Sequence, residues 1–233
     1  MATLFGSLLN DRLTGTNAPD SILGADGNDV LFGHGGRDDI FGGNGADVIF
    51  GGSGNDVIGA DADALNPFVL APGDDWVAGG SGNDRITTGA GDDTLFGDSG
   101  RDILQGGIGR DVVNGGSGND QLFWDDQDGS FNGGSGTDRL RTASSDLDLG
   151  SAAGARIRSI EIIDMRGGAG PDRLTLSKAE LLNVSSTLTL KVLGDPGDIV
   201  DIEGSFTGGD LSGGFQVYRM GGRLLVEPDV TVV

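Results

Sequence analysis

Twelve aspartates define the chemistry open to this chain. Asp20, Asp29, Asp38, Asp47 and Asp56 follow one another every nine residues, Asp75, Asp84, Asp93, Asp102, Asp111 and Asp120 do so again, and Asp138 comes eighteen residues later. Carboxylates are hard oxygen donors, suited to hard cations or to paired acid and base work. Cysteine is absent, so any metal must be held by oxygen. His34, the single histidine, falls in a repeat turn and reads as a solvent-facing variant of the repeat rather than a base or metal ligand. Paired carboxylates also suit glycoside hydrolysis, but nothing in the pattern builds the deep cleft it needs, and no enzyme is expected. The net charge of −21, from 36 acidic and 15 basic residues, repels phosphate backbones and anionic lipid, which excludes nucleic acid and leaves a cation as the natural partner.

Each aspartate closes a glycine-rich hexamer that is followed by three strand-like residues. The first block runs from Gly15 through "GADGNDVLF", "GHGGRDDIF", "GGNGADVIF" and "GGSGNDVIG". The second runs from Leu70 through "GGSGNDRIT", "GDSGRDILQ" and "GGIGRDVVN", then a worn "WDDQDGSFN" and "GGSGTDRLR". Glycine reaches 46 of 233 residues, yet there is no three-residue period and proline numbers only 6, so collagen is excluded. The eighth position is apolar throughout: Ile22, Leu31, Ile40, Ile49 and Ile58, then Val77, Ile86, Leu95, Leu104, Val113, Leu122, Phe131 and Leu140. Asp56 and Asp75 lie nineteen residues apart, which reads as two repeats plus one residue, with "ADADALNPFV" replacing an ordinary unit.

A nine-residue unit cannot bury its single apolar side chain alone, whereas stacked copies can. Glycine permits the sharp turns, and alternation along a strand sends position eight inward and positions seven and nine outward. The predicted fold is all-β: a right-handed parallel β-roll, two units per coil, with turns on opposite edges. Residues 15 to 141 make about seven coils, roughly 33 Å long at the spacing of adjacent strands. One edge is expected to carry Asp20, Asp38, Asp56, Asp75, Asp93 and Asp111, and the other Asp29, Asp47, Asp84, Asp102, Asp120 and Asp138. One buried aliphatic side chain returns about 1.5 to 3 kcal/mol, less than the ordering entropy of nine residues. The stacked carboxylates would repel without a counterion. Ca²⁺, which accepts six to eight flexible oxygens, fits better than Mg²⁺, so folding and binding should be coupled. The outward aromatics Phe32, Phe41, Phe50, Phe96 and Phe123 are expected to pair across strands, and Trp76 and Trp124 to plug the two interruptions.

The units "GGNGADVIF", "GGSGNDRIT" and "GGIGRDVVN" resemble the repeat-in-toxin (RTX) nonapeptide, over roughly residues 15 to 141. That resemblance implies Ca²⁺ held between same-edge turns by the twelve aspartates and by turn glycines supplying carbonyls and geometry. These glycines are Gly33, Gly35, Gly42, Gly43, Gly45, Gly51, Gly52, Gly54, Gly79, Gly80, Gly82, Gly97, Gly100, Gly106, Gly107, Gly109, Gly115, Gly116 and Gly118. It also implies export from a Gram-negative bacterium by a type I secretion machinery and folding outside the cell. Leu65 stands where an aspartate is expected, and Gly129 replaces one in "WDDQDGSFN", so the adjoining sites are expected to fail and about eight ions to bind.

Three regions are expected: a lead-in at 1–14, the roll at 15–141 with an interruption at 60–69, and a β-rich capping or secretion-associated module at 142–233. In the last, "GGAGPDRLT" is a solitary echo with Asp172 and Leu174 in register. "SIEIIDM" and "TLTLKVL" read as strands, "SKAELLN" as a short helix with a Ser177 to Glu180 capping box, and "FQVYRMGGRLLVE" as a hairpin turning at Gly221 and Gly222. "GPDRLTLSKAELLNV" and "LGDPGDIVDI" resemble, more loosely, a module that ends large bacterial RTX exoproteins and adhesins. No signal peptide is read in "MATLFGSLLNDRL", and no apolar run is long enough to span a membrane. The start directly before the repeats favours a secreted structural or adhesive calcium-binding protein with a surface or glycan partner. The alternatives are the noncatalytic part of a secreted protease, lipase or epimerase, and an intracellular calcium buffer.

Overall fold

In the computed structural model, residues 1–61, 73–125, 127–142, 147–149, 157–167, 171–177, 179–180, 184–185, 189–203, 207–212, 215–219 and 223–233 are described. Strands start directly after the sixth-position aspartate, as in Val30–Gly35, Val48–Ser53, Trp76–Ser81 and Ile103–Ile108. The strand-forming triplet runs on into the next glycines, and the chain then turns to the opposite sheet. Strands on one side pair in parallel with those two units away, Ile22 beside Ile40 and Leu31 beside Ile49, so two units make one coil. A 13-stranded and an 8-stranded sheet face each other across the core. All the eighth-position residues from Ile22 to Leu140 are buried there. They form one ladder per sheet, Leu31, Ile49, Val77, Leu95, Val113 and Phe131 on one and Ile22, Ile40, Ile58, Ile86, Leu104, Leu122 and Leu140 on the other.

The ladder begins before residue 15. Thr3–Phe5 pairs in register with Ser21–Leu23, and Arg12–Thr14 with Val30–Phe32, because "GSLLND" supplies a worn turn ending at Asp11. On the outer face Phe32, Phe50, Trp76 and Phe96 form a column of rings with successive centroids 4.9, 5.1 and 5.4 Å apart, and Arg12 covers Phe32. Trp76 therefore belongs to the aromatic ladder. Trp124 does plug its gap, buried with its ring edge against Phe131.

The interruption departs from the nine-residue reading. Val48–Ser53 pairs with Trp76–Ser81, and Val57–Gly59 pairs with Arg85–Thr87, so the 28-residue displacement is a single 18-residue coil carrying ten additional residues. Asp61 is the last described residue before the additional ten, and Gly73, the first after them, stacks on Gly45 as a fourth-position glycine should. Leu65 lies outside the described residues, and the sixth position of that turn is Asp75.

No break in the ladder marks residue 141. Arg139–Arg141 pairs with Ile162–Asp164, which pairs with Lys191–Leu193, and that strand continues to Arg223–Val226. A separate 4-stranded parallel sheet takes Leu147–Asp148, Arg173–Ser177, Ile199–Glu203 and Thr231–Val232. Ile157–Arg158 extends the 8-stranded sheet beside Phe131–Asn132, so parallel pairing with longer connections continues in all three sheets after the nine-residue beat ends, and the strands Thr207–Ser212, Phe215–Arg219 and Arg223–Val226 then pair antiparallel. The strands expected at "SIEIIDM" and "TLTLKVL" are Ile162–Asp164 and Thr189–Leu193. Phe215–Arg219 and Arg223–Val226 form the expected hairpin, with Gly221 and Gly222 outside the described residues. Glu180 accepts the Ser177 amide, the return bond of the capping box, and Ser177 Oγ caps helical residues 179 and 180 by accepting the Ala179 amide.

Candidate metal centre

Stacking brings the aspartates into two columns, one on each edge. Asp20, Asp38, Asp56, Asp84, Asp102, Asp120 and Asp138 share the first edge, and Asp11, Asp29, Asp47, Asp75, Asp93 and Asp111 the second. Beyond the interruption this reverses the expected edges: Asp84, Asp102, Asp120 and Asp138 continue Asp56, and Asp75, Asp93 and Asp111 continue Asp47. The ten-residue excursion is the cause, since it adds length without adding half a coil. The expected failure beside Leu65 falls away with it, because Asp47 lies directly next to Asp75. Asp11, which the sequence pattern missed, belongs to the column; the signal was present in the eighteen residues between Asp11 and Asp29.

From Asp38 onward on the first edge and Asp29 onward on the second, every column aspartate is bound alike. Oδ1 accepts the backbone N–H of the aspartate one coil earlier, at 2.6 to 2.9 Å for the columns from Asp20 to Asp138 and from Asp29 to Asp111. Oδ2 is buried and has no donor in eleven of the twelve expected ligands, all but Asp20. Among the described residues no lysine or arginine forms an ion pair with any of those eleven. A buried carboxylate oxygen with neither donor nor counter-charge is strongly unfavourable, so these oxygens demand a proton or a cation. Asp20 differs because Thr16 donates its amide and hydroxyl to Oδ2 at 2.6 and 2.8 Å, while Ala2 donates to Oδ1. The Ala2 bond leads the effects that hold its carboxyl below the usual range.

The electrostatics follow the burial. Desolvation, with neighbouring aspartates adding repulsion, pushes Asp38, Asp84 and Asp138 to about 6, Asp47 and Asp102 to about 7 and Asp75 to about 8. Desolvation likewise raises Asp29, Asp56, Asp93 and Asp120.

The expected glycines occupy distinct positions around these oxygens. Gly43, Gly45, Gly52, Gly54, Gly80, Gly82, Gly100, Gly107, Gly109, Gly116 and Gly118 take positive φ at the second and fourth turn positions, where side chains are strained. Gly35 holds the third. Gly33, Gly42, Gly51, Gly79, Gly97, Gly106 and Gly115 hold the first, where the need is space. A Cβ on Gly97 would stand 2.5 Å from the Gly115 carbonyl oxygen and 2.6 Å from Asp102 Oδ2; on Gly115 both distances, to Gly133 O and Asp120 Oδ2, are 2.6 Å. Gly33, Gly42, Gly51, Gly97 and Gly115 thus leave a small cradle between their own turn's orphaned carboxylate and the next turn's carbonyl, and Gly79 and Gly106 leave the same space beside Asp84 and Asp111. Among the described residues no three carboxylates or imidazoles gather at one point. The donor set is therefore one carboxylate or two with main-chain carbonyls, hard oxygens throughout, which fits Ca²⁺.

A scan against family models bears on that geometry. Residues 5–40, 32–64, 71–104, 87–122 and 96–130 match the RTX calcium-binding nonapeptide repeat, together more than half of the chain. The chain belongs to the RTX calcium-binding repeat family. No curated protein matches the chain. In this RTX roll the family match starts at residue 5, in keeping with strands that begin at Thr3, and skips 65–70, where the register carries ten residues beyond one coil. No helix among the described residues is long and apolar enough to cross a membrane.

Proposed function

We propose that this RTX chain is a secreted structural or adhesive protein whose roll folds when extracellular Ca²⁺ enters the gaps between same-edge turns. The supporting observation is the set of eleven buried Oδ2 atoms without donors. Asp38, Asp56, Asp84, Asp102, Asp120 and Asp138 would hold ions on the first edge, with Asp29, Asp47, Asp75, Asp93 and Asp111 as candidates on the second. Carbonyls of the first-position residues, such as Gly51, Gly79 and Gly115, complete the oxygen set. Bound Ca²⁺ would supply the positive charge that lets stacked carboxylates stay ionised and buried. The chain's own residues do the rest: glycines hold the carbonyls inward, and the Asp-to-amide bonds set the register of one coil on the next. With low calcium the columns repel, and the same chain stays open enough to pass an export channel of the type I kind. The 142–233 region, with its longer connections, would cap the roll and cover its strand edges.

Circular dichroism during a calcium titration of a chelated sample tests this reading. The expected outcome is a largely disordered chain that becomes β-rich at millimolar Ca²⁺. A spectrum that does not change across the titration would refute it.

A further inference from the structure

We infer that Asp128 and Asp111 form an additional cation site at the end of the second edge, in a gap whose sixth-position residue is Gly129. The inference rests on the reading that orphaned carboxylates of this roll take calcium. Gly129 cannot be replaced in register, because its Cβ would stand 2.7 Å from the Asp111 carbonyl oxygen. That carbonyl instead accepts the Gly129 and Ser130 amides at 2.8 and 3.0 Å. The carboxylate arrives one residue early. Asp128 is only 5% exposed; its Oδ2 accepts the Asp125 amide at 2.6 Å and its Oδ1 has no donor. Asp111 is fully buried; its Oδ1 accepts the Asp93 amide at 2.9 Å and its Oδ2 also has no donor.

The two carboxyl groups lie against each other. Two facing acceptors without a donor between them need a shared proton or a shared cation, and the surroundings favour the cation. A cavity of about 250 Å³ opens beside Asp128, lined by Gln105, Gly107, Ile108, Phe123, Trp124 and Asp125. It gives a hydrated ion a way in and room to keep part of its water, as a hard divalent ion with few protein ligands requires. Asp125, at its rim, already accepts the Gln127 amide at 2.8 Å, which fixes the loop that carries Asp128.

Trp124 lines this cavity and makes the site measurable. Tb³⁺ bound to the full chain in place of Ca²⁺ should emit under tryptophan excitation, and in Trp76→Phe, where Trp124 is the sole antenna, the emission should persist. Adding Asp128→Asn to Trp76→Phe should lower that emission several-fold. Asp128→Asn alone should reduce bound calcium in equilibrium dialysis by one ion, while the calcium-induced circular dichroism change is kept. No emission from Trp76→Phe, a measurement independent of how Asp128→Asn folds, overturns the site. So does an unchanged ion count and emission in the Asp128 variants. A native chain that binds no calcium at all overturns instead the reading of the whole roll, so the two failures are distinguishable.

Discussion

The two edges of the roll are made from one repeat, yet they are not equivalent. On the first edge the opening position of every turn from Gly15 to Gly133 is glycine, through Gly33, Gly51, Gly79, Gly97 and Gly115. On the second it runs Gly6, Gly24, Gly42, Ala60, Thr88, Gly106 and Trp124. The cradle beside each aspartate exists only where that position lacks a Cβ. At Thr88 the side chain is buried in the equivalent place, and its hydroxyl donates to the Gly106 carbonyl at 2.9 Å. Ala60 is likewise buried, and beside it Asp61 adds a carboxylate whose Oδ2 accepts the Ala90 amide at 2.7 Å while Oδ1 lacks a donor. An aspartate in register is thus not sufficient for a site of the repeat type. The opposite position of the hexamer decides whether a cation has room.

The strongest way to break this comparison is to put a side chain into the uniform edge. Gly97→Ala drives a methyl against the Gly115 carbonyl and Asp102, so it should remove an ion and destabilise the calcium-loaded roll by about 1 to 3 kcal/mol. Chemical denaturation in calcium measures this; a variant as stable as the parent would contradict the cradle. Next in size is the pair Asp102→Asn and Asp93→Asn. Loss of Asp102 should weaken calcium binding several-fold, whereas loss of Asp93, whose turn opens with Thr88, should matter much less. Isothermal titration calorimetry that finds equal effects would make the edges equivalent.

The excursion offers a third test. Deleting 62–71 restores the nine-residue step from Asp56 to Asp75 and should leave the calcium-induced fold with a melting temperature within a few degrees of the parent. Deleting one residue, which the two-repeats-plus-one reading would favour, should bring no such continuity. The smallest effect expected is a pH shift. In the folded chain without calcium the column carboxyls from Asp29 onward have raised values, from the ordinary 3.8 to about 6 for Asp84 and about 8 for Asp75. Between about pH 4 and 8 the folded chain therefore holds more protons than the unfolded one, and its stability falls as pH rises through that window. Calcium binding has the opposite sense, since protons compete for the same oxygens: affinity should fall as pH drops from 8 toward 5. Asp61 is one of the charges raising Asp75 after desolvation, so Asp61→Asn should move the binding midpoint on the second edge down by less than one pH unit. An upward move would assign Asp61 another role.

Much of this was legible from residue types alone. Ile22 through Leu140 are core because a period of nine with two strands per coil leaves one inward position per strand, and that position is apolar every time. The aspartates come together because each follows the same turn, and the absence of cysteine and the scarcity of histidine restrict their chemistry to oxygen. The worn units were harder. "GSLLND" keeps its first glycine, Asn10 and its aspartate but loses the fourth-position glycine, too little to distinguish from a lead-in, yet Asp11 donates its amide to Asp29 Oδ1 at 2.8 Å as its successors do. Asp128 was invisible because the repeat pattern reads positions, and its carboxylate reaches Asp111 from the wrong one.

By itself the sequence determined the repeat, its inward residue and its oxygen ligands, all of which are local consequences of a nine-residue period. It could not determine how the two blocks join. A spacing of 28 residues is equally three nines plus one and one coil plus ten, and the choice sets which edge Asp84, Asp102, Asp120 and Asp138 occupy. Only the tertiary structure decided it, because strand pairing between Val48–Ser53 and Trp76–Ser81 is a long-range contact that makes the 28 residues one coil plus ten. The same contact places Ala60, Asp61 and Thr88 on one edge, and with them the asymmetry between the two.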